Sequence, residues 1–197
     1  MMDKQLLQRW IAMTGILLPL LVCLRIWDIP PSLSATWYTD ARDVFTGSLA
    51  VVGGALGCFR GYDSRDRRRA IIACIGAMGV AWFPMAPPNA VGWIEVQGWI
   101  HFAAALAFFG ALASMCLRLF PLSDRSDMGV QKLRRNMVYR TCGSAIIAGT
   151  VALAAVALLT EHHWSIFWIE SLMVWSFGAA FAVKGEMVQA LNDKVKP

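Results

Sequence analysis

The chain has 197 residues, of which 57% are hydrophobic and 16% are charged, with a formal net charge of +5. A soluble domain of this length exposes too much surface to carry so apolar a composition, and the charges fall into clusters between long apolar runs. The sequence therefore predicts an all-α, polytopic membrane protein. The basic character needs no nucleic acid as a partner to explain it.

Six apolar blocks are about long enough to cross a bilayer as helices. They cover residues 6–29, 44–59, 70–85, 96–117, 141–160 and 165–183, within a single integral membrane domain, 1–197. Because backbone amides in hydrocarbon need internal partners, each block is expected to be a helix. The second and third blocks are the shortest, and the third carries Pro84 near its end, so it is expected to kink or to stop early.

The basic residues predict the orientation of this six-helix bundle. All of the 18 lysines and arginines except Arg25 and Arg42 lie in the N-terminal stub, in the second and fourth links or in the tail. These segments share one side of a six-helix bundle. The positive-inside rule therefore predicts a multi-pass protein of the inner (plasma) membrane with both termini in the cytoplasm. Six arginines of the two links are expected to contact anionic lipid headgroups: Arg65, Arg67, Arg68, Arg69, Arg134 and Arg135.

The second block carries Gly53, Gly57 and Gly61, which form a ridge at intervals of four residues. Such a ridge allows the backbone of another helix to approach closely. Packing within the chain is one interpretation, and a homo-oligomer interface is the other.

Neither a cofactor nor a metal ion is expected. The five cysteines form no C-x-x-C pair, and no phosphate-binding glycine loop occurs. No histidine stands at a metal-ligand spacing from another histidine or a carboxylate along one helix.

Four ionisable residues lie within the apolar blocks or at their ends, where a charge is costly and marks a candidate functional residue. They are Arg25, Asp43, His101 and Glu170. At about 1.5 Å per residue, all four lie at a similar depth near the outer ends of four different helices. We therefore predict an outward-facing polar vestibule walled by the first, second, fourth and sixth helices.

The outer loop before the second helix is the densest polar segment, and it is expected to fold over this vestibule. It contributes Tyr38 and Arg42, and Trp168 is one of several tryptophans near the same boundary. These rings are expected to anchor helices at the headgroup level or to line a pocket. The candidate ligand-binding residues are thus Arg25, Arg42, Asp43, Tyr38, His101, Glu170 and Trp168.

Three interpretations of this cluster are open. In the first, an arginine pairs with Asp43 or Glu170, His101 completes the network, and nothing binds. In the second, an arginine holds an anionic group such as a lipid phosphate through its forked donors. In the third, the cluster is catalytic, with His101 and either Glu170 or Asp43 as acid and base, and Tyr38 or a serine as nucleophile.

Several short motifs are spread along most of the chain. They are Arg42-Asp43-Val44-Phe45-x-Gly47, Gly61-Tyr62-Asp63, Phe83-Pro84, Ile100-His101, Phe167-Trp168-x-Glu170 and Trp175-x-Phe177-Gly178. In these motifs the chain resembles a group of small bacterial polytopic membrane proteins that share a domain of unknown function, and no activity comes with that resemblance. A fainter similarity is to the ceramidase-like intramembrane hydrolases. The chain has six apolar blocks where those enzymes have seven helices, and it lacks the paired histidines of their last helix, so neither zinc nor hydrolysis is carried over.

The leading expectation is a non-enzymatic protein whose vestibule binds a lipid headgroup or another small amphiphile. One alternative is a membrane-embedded hydrolase or transferase that acts on a lipid, and another is a small channel or transporter subunit. A conduit needs polar residues that continue through the bundle. Below the vestibule little is polar beyond Ser114, Ser144, Thr150 and Ser176.

Overall fold

The computed structural model describes residues 3–59, 64–122, 129–159 and 164–192, and within them all regular structure is helical. The long helices are α1 (Lys4–Ile26), α2 (Arg42–Cys58), α3 (Ser64–Trp82), α4 (Trp93–Ser114), α5 (Val130–Leu159) and α6 (Trp164–Lys184). A π-helical turn, Met115–Leu119, extends α4, and short 3₁₀ turns cover Ser34–Tyr38 and Gln189–Leu191.

Within the part of the chain that the structure describes, four helical segments are long and apolar enough to cross a membrane. They are Lys4–Ile26, Trp93–Leu119, Val130–Val156 and Ile166–Lys184. By length and composition the chain is therefore an all-helical membrane protein. α2 has 17 residues, and α3 begins with an arginine-rich turn, so neither meets the same criterion.

Two helices begin well before the corresponding apolar blocks. α3 begins at Ser64 instead of residue 70, and α5 begins at Val130 instead of residue 141. Lysine and arginine are good helix formers, so a helix continues past the point where its apolar block ends. α3 stops at Trp82, just before Phe83-Pro84, since the residue preceding a proline is pushed out of the helical conformation.

The six helices form a closed ring, in which each packs against the next in sequence and α6 returns to α1. Glycines allow the closest seams. A Cβ atom at Gly76 would lie 2.7 Å from the backbone nitrogen of Phe108, and one at Gly178 would lie 3.1 Å from the backbone nitrogen of Ile16. The α3–α4 and α1–α6 seams are thus backbone-to-backbone contacts. The α4–α5 seam is the loosest of the six.

Apolar side chains cover the outside of the ring as well as its interior. Leu20, Leu24, Ile75 and Val151 are all more than half exposed. So extensive an exposed apolar surface marks a face that meets another apolar phase. This surface includes α3, which packs between α2 and α4 in the ring.

The interior differs between the two ends. At the charged end, defined by Asp66, Lys132 and Lys184, the core is filled. The ring of Phe120 packs at centroid distances of 5.1 Å from Phe181 and 5.3 Å from Tyr139. The opposite end, defined by Ser34, His101 and Glu170, encloses open volume and is called the cavity end below.

Candidate ligand-binding cavity

The cavity end holds a cavity of about 880 Å³, to which all six helices contribute wall residues. Its wall is mostly apolar, with Leu18, Leu49 and Leu153 on three different helices. Phe108 and Phe177 also line it, in an edge-to-face pair with ring centroids 5.8 Å apart. The volume lies in the upper part of the range of small-molecule sites, about 300–1,000 Å³.

At the cavity end three polar side chains of the wall contact one another and form a trio: Ser34, His101 and Glu170. The Ser34 hydroxyl lies between the other two. It donates to Glu170 Oε1 at 3.0 Å and lies 3.2 Å from His101 Nε2. The trio brings together the loop after α1, helix α4 and helix α6.

His101 is oriented by the end of α3. Its Nδ1 atom lies 2.7 Å from the carbonyl oxygen of Phe83, the first residue after that helix. The last carbonyls of a helix have no partner within the helix, so a donor from a neighbouring element satisfies this one. A carbonyl oxygen only accepts, and Nδ1 therefore carries a proton.

The proton count of the trio follows from these contacts. The single hydroxyl proton of Ser34 cannot serve both neighbours. When Ser34 donates to Glu170, Nε2 of His101 donates to Ser34 and the ring carries both protons. When Ser34 donates to Nε2, a protonated Glu170 donates to Ser34. The two arrangements contain the same number of protons, so the trio is a short relay that exchanges a charged pair for a neutral one.

Glu170 also fastens the loop after α1. The backbone amide of Leu33 donates to Glu170 Oε2 at 2.5 Å, and the carboxyl group thereby caps the 3₁₀ turn that begins at Ser34. The backbone amide of Phe167 donates to the carbonyl oxygen of Pro31 at 3.2 Å. This loop is therefore held down on α6 beside the cavity.

The same loop is tied to the segment between α3 and α4. The Tyr38 hydroxyl donates to the carbonyl oxygen of Met85 at 2.7 Å, and the Ser32 hydroxyl contacts Met85 Sδ at 3.6 Å. Partial burial raises the pKa of the Tyr38 phenol, so this group stays a donor at neutral pH. Ser32 and Met85 both line the cavity.

Of the residues that the sequence pointed to, the structure brings His101 and Glu170 together and leaves the others outside the cavity wall. Arg42 and Asp43 begin α2 and face outward. Their Nε and Oδ1 atoms are 3.8 Å apart, and their side chains are 57% and 95% exposed. Arg25 and Trp168 are exposed, and neither lines the cavity. Tyr38 is linked to the cavity wall by its hydrogen bond to the carbonyl oxygen of Met85.

The basic residues of the charged end include two that bond within the chain. Arg67 donates to the carbonyl oxygens of Gly57 at 2.6 Å and Phe59 at 2.9 Å, at the end of α2. Arg135 donates to the carbonyl oxygen of Leu191 at 2.7 Å. The side chains of Arg65, Arg68 and Arg134 are exposed, and that of Arg69 is half-buried. Contact of these arginines with lipid stays a prediction.

Two glycines of the expected ridge face α3 of the same chain. A Cβ atom at Gly53 would lie 3.3 Å from Ala77 Cβ, and one at Gly57 would lie 3.1 Å from Cys74 Sγ. Gly61 lies outside the described residues. The ridge is used for packing within the chain, and an oligomer through it stays a prediction.

Sequence reasoning missed the cavity itself, the Phe83 carbonyl and the central place of Ser34. The sequence contains a partial signal for the Phe83 carbonyl and for Ser34. A helix that stops before Pro84 leaves carbonyls free, and the serines that follow Pro30 and Pro31 are typical of a turn. Among the described residues no three histidine, cysteine or carboxylate side chains gather as metal ligands.

Comparison with protein-family models, with curated proteins and with solved structures gives no match to this chain. The resemblance carried by the short motifs therefore stays a prediction, and function has to be argued from the cavity.

Proposed function

We propose that this protein is an integral inner-membrane protein that binds an amphiphile, with the apolar chain in the cavity and the polar head at the Ser34–His101–Glu170 trio. The observation that carries the proposal is the lining of the cavity. About 880 Å³ of mostly apolar space has the ionisable residues of its wall, Glu95, His101 and Glu170, toward the cavity end. An amphiphile is the class of small molecule whose surface has the same division.

The proposal includes six membrane spans with both termini in the cytoplasm. α2 and α3 complete the ring between α1 and α4, so they share the depth of the four apolar segments. The 17 residues of α2 are at the short end of the spanning range, about 17–25 residues. The orientation is supported by the lysines and arginines, which favour the charged end.

Access to the cavity is proposed from the bilayer, between α4 and α5. This is the loosest seam of the ring. Phe102 and Leu106 of α4 line the cavity and are still 48% and 44% exposed, and Leu153 lines it from α5. The apolar tail of an amphiphile that moves from the bilayer through this seam into the cavity stays in apolar surroundings throughout.

Two tryptophan variants two residues apart test the binding proposal. Ala105 of α4 lines the cavity, whereas Ala103 of the same helix is exposed and does not line it. Ala105→Trp is expected to fill the cavity and remove a bound amphiphile, and Ala103→Trp is expected to leave it in place. Native mass spectrometry of protein purified in mild detergent measures the retained mass. Equal retention by both variants, with both folded, would refute binding in the cavity.

A hydrolase that acts on a lipid ester is the second candidate, favoured by the contact of Ser34 with His101. In that reaction the Ser34 oxygen attacks the ester carbonyl while its proton passes to Nε2 of His101. The departing alcohol takes this proton, and water then releases the acyl group from Ser34 as an acid. The Phe83 carbonyl holds the ring in the tautomer that leaves Nε2 free to accept.

A fluorophosphonate probe separates the two candidates, since it labels only an activated serine. Labelling of the native protein and of Ser48→Ala, with none of Ser34→Ala, would establish hydrolysis. Ser48 is a fair control because it also lines the cavity. No label on the native protein, with an amphiphile still retained, would leave binding as the function.

A further inference from the structure

The charges around the cavity restrict which amphiphile it takes. Among the described residues the charged side chains that line it are Glu95 and Glu170, joined by His101, and no lysine or arginine lines it. The outer arginines do not compensate. Arg25 is exposed, and Arg42 pairs with Asp43 and lies 5.7 Å from the ring centroid of Trp37. An anionic head would thus enter an apolar space whose described wall offers no lysine or arginine, and the histidine that lines it already has Glu170 as its own carboxylate in the trio.

Two backbone amides beside the trio are already used by the protein itself, although Asn89 and Trp99 also line the wall with N–H groups. The amide of Leu33 donates to Glu170, and the amide of Ala35 donates to the Ser32 hydroxyl at 2.8 Å. Deeper in the wall, the Thr150 hydroxyl donates to the carbonyl oxygen of Ile146 at 2.9 Å.

Acceptor capacity remains. A carboxylate offers about four lone-pair positions, and each oxygen of Glu170 accepts one contact from the protein that is described above. Glu95 is exposed at the cavity wall and adds a second carboxylate. The trio has no net charge in either of its proton arrangements, so the wall presents acceptors to an arriving head group and its negative charge comes from Glu95.

We propose that the cavity selects amphiphiles whose head group donates hydrogen bonds and carries no negative charge, namely a long-chain alcohol or a long-chain ammonium. This inference rests on the proposed binding function and reverses the anionic ligand that the arginines of the sequence suggested. The alcohol and the ammonium share the donor chemistry, and the ammonium is favoured further by the carboxylate of Glu95.

A competition among three probes with the same chain tests the selectivity. The full-length protein in detergent is mixed at neutral pH with equal concentrations of dodecylamine, dodecanol and dodecanoate, and native mass spectrometry counts each retained mass. Retention of the amine or the alcohol at least about tenfold above dodecanoate is expected, a difference of about 1.4 kcal/mol. An excess of amine over alcohol identifies the carboxylate charge as a contributor, and equal retention assigns the preference to hydrogen bonding. Dodecanoate retained as well as the other two would overturn the inference.

Two charge reversals sharpen the test, and Ala105→Trp separates the inference from the function on which it rests. Glu95→Lys places a cation at the cavity wall and is expected to raise the share of dodecanoate several-fold. Asp43→Lys makes the same change on a side chain that is 95% exposed and outside the wall, and is expected to leave the shares unchanged. Equal shifts in both variants, or none in Glu95→Lys, would overturn selection by the wall charges. If the native protein retains no probe beyond the level of Ala105→Trp, the binding function itself fails.

Discussion

At the charged end of the ring, cations reach back to backbone carbonyls, whereas at the cavity end polar side chains surround open volume. Arg9 Nε donates to the carbonyl oxygen of Gly185 at 2.9 Å, just after α6, and Arg67 does the same at the end of α2. Lys184 Nζ lies 5.6 Å from the ring centroid of Phe120 in the filled core. Each of these cations thus contacts a group within the chain.

The cavity end has the opposite balance. Its polar trio is held by backbone groups of Leu33 and Phe83, and side chains leave the cavity beside it open. The same six helices therefore enclose a core filled by aromatic rings at the charged end and an open cavity at the other end. The charged end is packed, and the cavity end has the open volume that the proposed binding function requires.

The largest expected difference between the two ends is in the removal of a phenylalanine ring. Phe181 is fully buried against Phe120, so Phe181→Ala is expected to lower the free energy of unfolding by about 3–5 kcal/mol. Phe102 is 48% exposed and borders the cavity, so Phe102→Ala is expected to cost less than about 1 kcal/mol. Denaturant unfolding in detergent micelles measures both. Similar losses for the two variants would remove the distinction between a filled and an open end.

The fold was largely accessible from the sequence because apolar blocks and positive charges record the bilayer directly. The blocks found the positions of all six helices. They misplaced the starts of α3 and α5, since hydropathy follows the membrane boundary and the helical hydrogen bonds continue into basic turns. The closing of the ring by Gly76 and Gly178 had no such signal, because a glycine in an apolar block reveals no partner.

The candidate site was accessible only in part, because depth along a helix does not determine which face a side chain occupies. His101 and Glu170 share depth and also face the interior. Asp43 shares that depth and faces outward, in the first turn of α2, where a carboxylate is favoured by the helix dipole. The place of Ser34 depended on a loop fold that no periodicity encodes.

The two carboxylates that looked equivalent in the sequence are expected to differ when each is neutralised. Glu170→Ala removes both acceptors and leaves the Leu33 amide and the Ser34 hydroxyl without this carboxylate. It is expected to cost about 2 kcal/mol of unfolding free energy and to speed hydrogen exchange at the Leu33 amide. Asp43→Asn is expected to change neither, because its pair with Arg42 is exposed to solvent. If both variants exchange at the native rate, Glu170 does not hold the loop.

The smallest expected effect concerns the arginines of the charged end and separates a structural task from contact with lipid. Arg67→Met removes two donors from the carbonyls at the end of α2 and is expected to cost about 1 kcal/mol, since Arg67 is only half-buried and water can replace part of the contact. Arg68→Met is the matched control on the next, exposed position and is expected to leave stability unchanged. Binding to vesicles that contain phosphatidylglycerol supplies the second measurement. If Arg67→Met weakens that binding more than Arg68→Met and leaves the unfolding free energy unchanged, its guanidinium serves the membrane surface instead of the helix end, and the two ends of the ring are less different than their contacts indicate.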